Sequence, residues 1–565
     1  MKIVVVGGVA GGASAAARAR RLDESAEIVV FERGGEVSYS NCSLPYYLSG
    51  TVADRDSLIM MTKEAFKARF NIDVRTLSEV VSIDRKAKTV HVKEAGGHEY
   101  DESYDKLILS PGASPILPKS IAGIDKPHVF SVRNVDDIVR LKNYCEQAAV
   151  ETVAVVGGGF VGVEVAENLK DAGKNVVLIE GMDQILAPFD YDMVQILHKE
   201  LLDHGVDLRV SSMLKAIEED AVVIERDGEE SRVPAQAVVC AIGVSPETGL
   251  AEDADLSIGA LHGIRVNEDY QTDDPDIYAV GDAIEVKHFL TGEKTRLALA
   301  GPAQRQARGA ADHIYGIPNE NRGVIGSCCI RVFGKNAAAT GLNERSAAAA
   351  GFECDSVLVF PNDKVGIMPS AHYMAFKLIY EIPSGRILGA QAIGAGDVTG
   401  RCNVIAAMIT MKGTLEDLRD LEVCYAPLFG TAKDIVNFAA YVGLNVLHGV
   451  YKQVHVSEIR YLVESGAFIV DVREPAEYEA GHLKGARNIP LSQLRERLDE
   501  IPKDRPVYLH CRSSQRSYYA LRCLQGHGYE NAVNISGSYL GFSYYEYFND
   551  KDLGREPILT EYNFD

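Results

Sequence analysis

The 565-residue chain has no tryptophan, and none of its apolar runs approaches the roughly 18 residues that a membrane span requires. Basic residues are in deficit: 58 Lys and Arg stand against 80 Asp and Glu, a net charge of -22. Nucleic acids and anionic membranes need clustered Lys and Arg, so neither is an expected partner. Local basic groups can still serve a small polyanion. Ten cysteines without framework spacing argue against a disulfide scaffold and for a reducing compartment. Residues 1–19 imitate a leader, with Lys2, an apolar run and small residues. Arg18, Arg20 and Arg21, and then another strand, fit a folded βαβ unit better, so the cytoplasm is the expected location. What is abundant is apolar content, 46%, enough for the cores of three or four domains.

Residues 2–6 form a short apolar strand that runs into Gly7-Gly8-Val9-Ala10-Gly11-Gly12, and the alanine-rich pattern predicts a helix over 13–22. A second strand over 27–31 ends at Glu32. Strand, glycine turn, helix, strand and acid make a dinucleotide-binding unit. The helix N-terminus faces a pyrophosphate and the acid accepts from a ribose hydroxyl. Val9 stands where the middle glycine of G-x-G-x-x-G normally lets backbone approach phosphate. The second copy is complete: a strand over 152–156, Gly157-Gly158-Gly159-Phe160-Val161-Gly162, a helix over 163–172, and a strand over 175–179 closing on Glu180. A carboxylate there repels a 2′-phosphate, and no Arg or Lys lies between Gly181 and Asp192 to accommodate one, so NADH is expected over NADPH.

Two such units imply two dinucleotides, most simply FAD in one and a nicotinamide in the other. Residues 107–115 and 238–246 read as strands ending in small-residue turns, where chain crosses between nucleotide domains. Residues 277–283 read as a buried strand ending in Asp282, which is placed to hold a ribityl chain.

About ten residues past Glu32 comes Ser38-Tyr39-Ser40-Asn41-Cys42-Ser43-Leu44-Pro45-Tyr46. A lone cysteine there sits beside whatever dinucleotide the first unit binds, which suggests a thiolate exchanging electrons with a flavin. A buried structural cysteine is the alternative.

Residues 1–445 resemble the two-dinucleotide-binding flavoprotein disulfide reductases. The context S-x-x-N-C-x-L-P-Y around Cys42 is similar to that of coenzyme A disulfide reductases and their persulfide-reducing relatives. The glutathione-reductase branch has a C-x4-C pair, whereas here the next cysteine is Cys145. The resemblance therefore implies a disulfide between Cys42 and the substrate itself. Peroxide-reducing relatives carry a histidine in the first glycine turn, and none lies between Gly7 and Gly12.

Strands near 327–332, 376–381 and 386–393, then helices from 398 onward, match the family's dimerisation domain, which implies a homodimer. Glu422-Val423-Cys424-Tyr425-Ala426-Pro427 matches the stretch that places a tyrosine near the partner's redox cysteine, where Tyr425 would stabilise or protonate the leaving thiolate. An ordinary interface tyrosine is the alternative. A second family tyrosine aligns with Ile367-Met368-Pro369-Ser370-Ala371 and is missing, which weakens the case for coenzyme A disulfide as the best substrate. For coenzyme A the family positions are Ser14, Arg18, Arg21, Ser38, Asn41 and Lys433, with Lys67 close to Phe70, where the family carries a base. Arg18 and Arg21, three apart on one helix face, could clamp phosphates; a solvated basic face is the alternative. The cofactor set is Gly7, Gly8, Val9, Ala10, Gly12, Glu32, Arg33, Asn41, Ser110, Gly112, Arg133, Gly281, Asp282 and Pro427, with Gly157, Gly159, Gly162, Glu180 and Gly243. No metal is expected.

Beyond a connector the pattern changes. A strand over 467–472 leads into Arg473-Glu474-Pro475-Ala476-Glu477-Tyr478, then Gly481-His482-Leu483-Lys484-Gly485-Ala486. These match the rhodanese motifs D-V-R-x-x-x-E-[FY] and G-H-I-x-G-A. A strand over 507–509 leads to His510-Cys511-Arg512-Ser513-Ser514-Gln515-Arg516-Ser517 and a helix. Strand, turn and helix N-terminus make a cradle of backbone N–H groups that lowers a thiol pKa. Residues 512–516 are its expected members. Related phosphatases use C-x5-R; the tighter C-x4-R ring here suits a persulfide sulfur.

The expected fold is α/β: two Rossmann-like dinucleotide-binding domains, an α+β dimerisation domain and a C-terminal α/β rhodanese domain. The expected boundaries are 1–115 and 245–323 for FAD, 116–244 for NAD(H), 324–445 for dimerisation, 446–454 for a linker and 455–565 for rhodanese. The expected activity is NADH-driven, FAD-dependent reduction of a coenzyme A persulfide, polysulfide or disulfide at Cys42, joined to sulfur transfer at Cys511. An NADH oxidase or peroxidase cycling a Cys42 sulfenic acid, or a sulfur-trafficking protein centred on Cys511, are the alternatives.

Overall fold

The computed structural model describes residues 1–564 as mixed α/β. The chain forms two compact units, one of Met1–Asp183 and Arg209–Val324, the other of Gln184–Leu208 and Ile325–Asp565. Among the described residues no helix is long and apolar enough to cross a membrane.

The first unit is built on two parallel sheets. In one, Lys2–Val6 lies between Glu27–Phe31 and Lys106–Leu109, with Ile277–Ala279 beyond the latter. In the other, Thr152–Val156 lies between Asn175–Ile179 and Ala237–Cys240. Strands covered on both faces read as unbroken apolar runs, which is why these segments are plain in the sequence. The helices begin earlier than predicted, at Ala10–Leu22 and Phe160–Asp171. Neither carries a side-chain N-cap, so the usual start signal is missing. Ala15, Ala16 and Ala19 bury the inner face of the first helix completely. The two small-residue turns meet as the antiparallel pair Ala113–Pro115 and Val244–Pro246.

The second unit holds an antiparallel sheet in the order Cys328–Val332, Lys335–Gly341, Ile387–Gly394, Met374–Glu381, Cys354–Val359. Helices Val398–Thr410 and Ile435–Leu447 follow it. The Gln184–Leu208 segment, inside the expected 116–244 domain, belongs to this unit. Asp190 and Asp192 ion-pair with buried Lys377 at 3.2 and 2.8 Å, and His198 packs edge-on to Phe548. The expected linker at 446–454 is partly structured: Ile435–Leu447 runs into it, and Lys452–Val454 pairs with Ala532–Ile535. That strand is the edge of a parallel sheet continuing through Val507–His510, Phe468–Asp471 and Arg487–Asn488.

Candidate active site

The two glycine turns share one geometry. Gly7 N–H donates to the Phe31 carbonyl at 2.8 Å and Gly157 N–H to that of Ile179 at 2.7 Å. One residue on, Gly8 N–H donates to the Glu32 carboxylate at 2.9 Å and Gly158 N–H to that of Glu180 at 2.6 Å. Each acid thus closes its turn at the mouth of a helix N-terminus. A Cβ on Gly12 or Gly162 would stand 1.8 Å from the carbonyl oxygen of Gly7 or Gly157, so helix and strand meet too closely for a side chain. The departure at Val9 is accommodated because its φ of -104° suits an L-residue. At Gly159 the φ is also ordinary, and a Cβ would meet nothing within 4 Å. That space suits the close approach of a pyrophosphate rather than any packing need.

Around the first turn several of the residues expected to hold FAD lie close together. A Cβ on Gly7 would stand 2.1 Å from the Ser110 carbonyl oxygen, and one on Gly281 would be 3.6 Å from Ser110 Oγ. The Arg133 guanidinium would be 2.4 Å from a Cβ on Gly112. Burial pushes the Asp282 carboxyl up, and Arg133 opposes that rise. Asn41 Oδ1 is buried without a hydrogen-bond partner among the described residues. A polar orphan beside a glycine cradle fits a polar cofactor. Arg33, by contrast, is exposed and bound to Glu247 at 2.8 Å.

Cys42 sits on the 3-10 turn Asn41–Ser43. The turn is tied to the nucleotide fold: Ser38, at φ 49°, donates its N–H to the Gly8 carbonyl at 2.8 Å. Cys42 is a free, exposed cysteine. Desolvation pushes its thiol up, with Glu164 and then Asp282 adding to the rise. Glu164 escaped sequence reasoning. Burial and then Glu167 push its carboxyl up to about 7. Its signal is a carboxylate two residues past Gly162 on a helix whose neighbours are apolar.

The coenzyme A positions are less uniform. Arg18 is not a free phosphate ligand: its guanidinium binds Asp312, with Nε 2.6 Å from Oδ1. The expected Arg18–Arg21 clamp is therefore reduced to exposed Arg21, because a carboxylate 294 residues away neutralises its first member. Lys67 is exposed and held by Asn71 at 2.7 Å, and Ser14 is half-buried. In the second unit Lys433 lies over Tyr441, 5.4 Å from the ring centre. Tyr425 is 50% exposed, and Pro427, Leu428 and Phe429 beside it are exposed too. Arg401 braces this stretch, donating to the Phe429 carbonyl at 3.2 Å and to Asp434 at 3.0 Å. Ile367, at the position of the missing tyrosine, is 85% exposed.

Cys511 directly follows the strand Val507–His510 and is only 1% exposed. Its amide donates to Ser538 Oγ at 3.2 Å, and Ser517 Oγ lies 3.7 Å from its sulfur. The backbone amides of residues 512–517 have no protein acceptor among the described residues, as an anion cradle requires. Ser514 takes φ 71° to turn the loop into helix Gln515–Gly526. Arg516 does not point its charge at the sulfur alone: it grips Glu477 through two bonds of 2.6 and 2.7 Å. That bond, ahead of desolvation, holds the Glu477 carboxyl below its usual range.

Residues 1–307 match the model of the pyridine nucleotide-disulphide oxidoreductases. Residues 330–434 match the dimerisation domain of the same group, and 455–544 a rhodanese-like domain. An NADH oxidase of Methanocaldococcus jannaschii is 33% identical over 443 residues, 78% of this chain and 98% of the relative. A coenzyme A disulfide reductase of Staphylococcus haemolyticus is 30% identical over 444 residues, with the same coverage. Among solved structures, reduced Bacillus anthracis CoADR-RHD is 43% identical with a TM-score of 0.93, covering 96% of this chain and 98% of that one. A NAD-dependent persulfide reductase from A. fulgidus is 34% identical with a TM-score of 0.91, covering 96% and 100%.

Proposed function

Because the chain belongs to the pyridine nucleotide-disulphide oxidoreductases, we propose that it is an NADH-dependent, FAD-containing reductase of coenzyme A persulfide, polysulfide or disulfide, acting through Cys42 and joined to a Cys511 sulfurtransferase. The observation that carries the reading is the exposed, unpaired Cys42 on a turn hydrogen-bonded to the first glycine motif. A solved NAD-dependent persulfide reductase that covers 96% of this chain supports the sulfur chemistry.

FAD and NADH fit the two cradles, and when bound they supply two-electron transfer. Gly7, Gly8, Val9, Ala10, Gly12 and Ser110 would receive the flavin pyrophosphate, and Glu32 its ribose. Gly112, Arg133, Gly281 and Asp282 would line the remainder. Gly157, Gly159, Gly162 and Gly243 would receive the nicotinamide dinucleotide, with Glu180 on its adenosine ribose.

The Cys42 thiolate attacks the inner sulfur of a coenzyme A persulfide. The S–S bond breaks, hydrosulfide leaves with the bonding pair, and a mixed disulfide remains between Cys42 and coenzyme A. With coenzyme A disulfide the leaving group is the second coenzyme A thiolate. Two-electron reduction of the mixed disulfide then frees coenzyme A and restores Cys42. Tyr425 of a partner subunit donates its hydroxyl proton to the departing sulfur. Arg21, Ser38, Asn41, Lys67 and Lys433 are the coenzyme A contacts, and Arg18 joins them only by leaving Asp312.

The NADH oxidase relative keeps open a second reading, in which Cys42 cycles through a sulfenic acid. Anaerobic NADH turnover, compared across coenzyme A persulfide, coenzyme A disulfide, polysulfide and peroxide, separates the two. Sulfur-dependent turnover without oxygen supports the reductase; turnover only with peroxide, or only once oxygen is admitted, overturns it.

A further inference from the structure

The cavity beside the sulfurtransferase cysteine, about 280 Å³, is lined by Arg473, Ala476, Glu477, Arg512, Tyr539 and Leu540, among others. Two of its walls are bonded to the cysteine loop: Tyr539 N–H donates to the Cys511 carbonyl and Leu540 N–H to that of Arg512, both at 3.0 Å. Its charges are unequally matched. Arg473 is paired with Asp471 at 2.6 Å, and Glu477 with Arg516. Arg512 makes no ion pair among the described residues, and its Nη2 is buried without a hydrogen-bond partner. What it does touch is an aromatic ring from the dimerisation domain. The guanidinium carbon lies 4.8 Å from the ring centre of Tyr373, within reach of a cation–π contact.

The ring is 39% exposed, but the backbone that carries it is held in place. Tyr373 pairs with Asn362, His372 N–H donates to Asp363 Oδ1 at 2.9 Å, and Met374 N–H donates to the Pro361 carbonyl at 2.9 Å. The same sheet edge is fixed to the sulfurtransferase domain. Gln453 donates to the Ser356 carbonyl at 2.9 Å, and His455 lies 3.0 Å from Asp355.

We propose that Tyr373 is a positioning residue of the sulfurtransferase site, holding the Arg512 guanidinium at the cavity wall so that an uncompensated positive charge meets the anionic end of the sulfur donor. This rests on Cys511 being the sulfur-accepting thiol. With thiosulfate, the Cys511 thiolate attacks the outer sulfur, the S–S bond breaks, sulfite leaves with the bonding pair and Cys511 becomes a persulfide. The Tyr373 ring does not touch the reacting sulfur; it fixes the charge that draws the donor in.

The test uses the full-length holoenzyme with thiosulfate as donor and cyanide as acceptor. Tyr373→Ala should raise the KM for thiosulfate about 2- to 30-fold, the range of a cation–π contact, with kcat within about twofold of the parent. Tyr373→Phe keeps the ring face and should match the parent, whereas Tyr373→Leu keeps apolar bulk without it and should resemble Tyr373→Ala. In an Arg512→Gln background Tyr373→Ala should add nothing. A second readout needs no sulfur transfer: the ratio of alkylation rates at Cys511 by iodoacetate and by neutral iodoacetamide, followed on the Cys511 peptide. Tyr373→Ala should lower that ratio. An unchanged KM and ratio, or equal loss with both reagents, would overturn the proposal. A parent that transfers no sulfur, with the ratio still lowered by Tyr373→Ala, would instead refute the sulfurtransferase reading alone.

Discussion

At Cys42 the nearest charges oppose the thiolate that the chemistry needs. Desolvation, Glu164 and Asp282 all push the thiol up. Because the Glu164 carboxyl titrates at about 7, its opposition is small below neutrality and grows as pH rises through that value. Glu164→Gln removes the negative neighbour at every pH. The iodoacetamide profile of Cys42 should then move to lower pH, and no movement would show that Glu164 does not act on the thiol. Tyr425 is expected to work from the other side of the reaction. Tyr425→Phe deletes one donor to the leaving thiolate, a loss typically of about 2–4 kcal/mol or roughly 30- to 1000-fold in turnover. Flavin reduction by NADH should be unchanged. A dimeric variant within about threefold of the parent would make Tyr425 a packing residue. At this scale the sequence is least transparent. Nothing local to Arg18 announces Asp312, and nothing near Cys511 announces Tyr373, because both partners arrive through tertiary folding.

The elements were more legible. Parallel strands buried on both faces are apolar throughout, so those carrying Glu32 and Glu180 coincide with the expected 27–31 and 175–179. Both helices were predicted three residues short, since a glycine turn offers no capping side chain to mark their start. The two glycines of the second turn should respond differently. Gly162→Ala places a Cβ 1.8 Å from the Gly157 carbonyl oxygen, which must distort the turn; NADH binding and thermal stability should both fall. Gly159→Ala meets no protein atom within 4 Å, so its melting temperature should equal the parent's while the KM for NADH rises about tenfold or more. A Gly159→Ala variant with parental KM would show that the nucleotide does not approach that backbone.

On the scale of the whole molecule, Cys42 and Cys511 lie in separate compact units, and their proposed chemistries should be separable. Cys511→Ser should abolish sulfur transfer from thiosulfate and leave coenzyme A disulfide turnover largely intact. Cys42→Ser should do the reverse while still accepting hydride. Loss of both activities in either variant would mean that the two sites work only as one. The central claim is that Cys42 forms a mixed disulfide with coenzyme A. Peptide mass spectrometry of holoenzyme treated anaerobically with coenzyme A disulfide tests it most directly. One coenzyme A should appear on the Cys42 peptide and be released on adding NADH. A Cys42 peptide that never carries coenzyme A, or that keeps it in the presence of NADH, would contradict it.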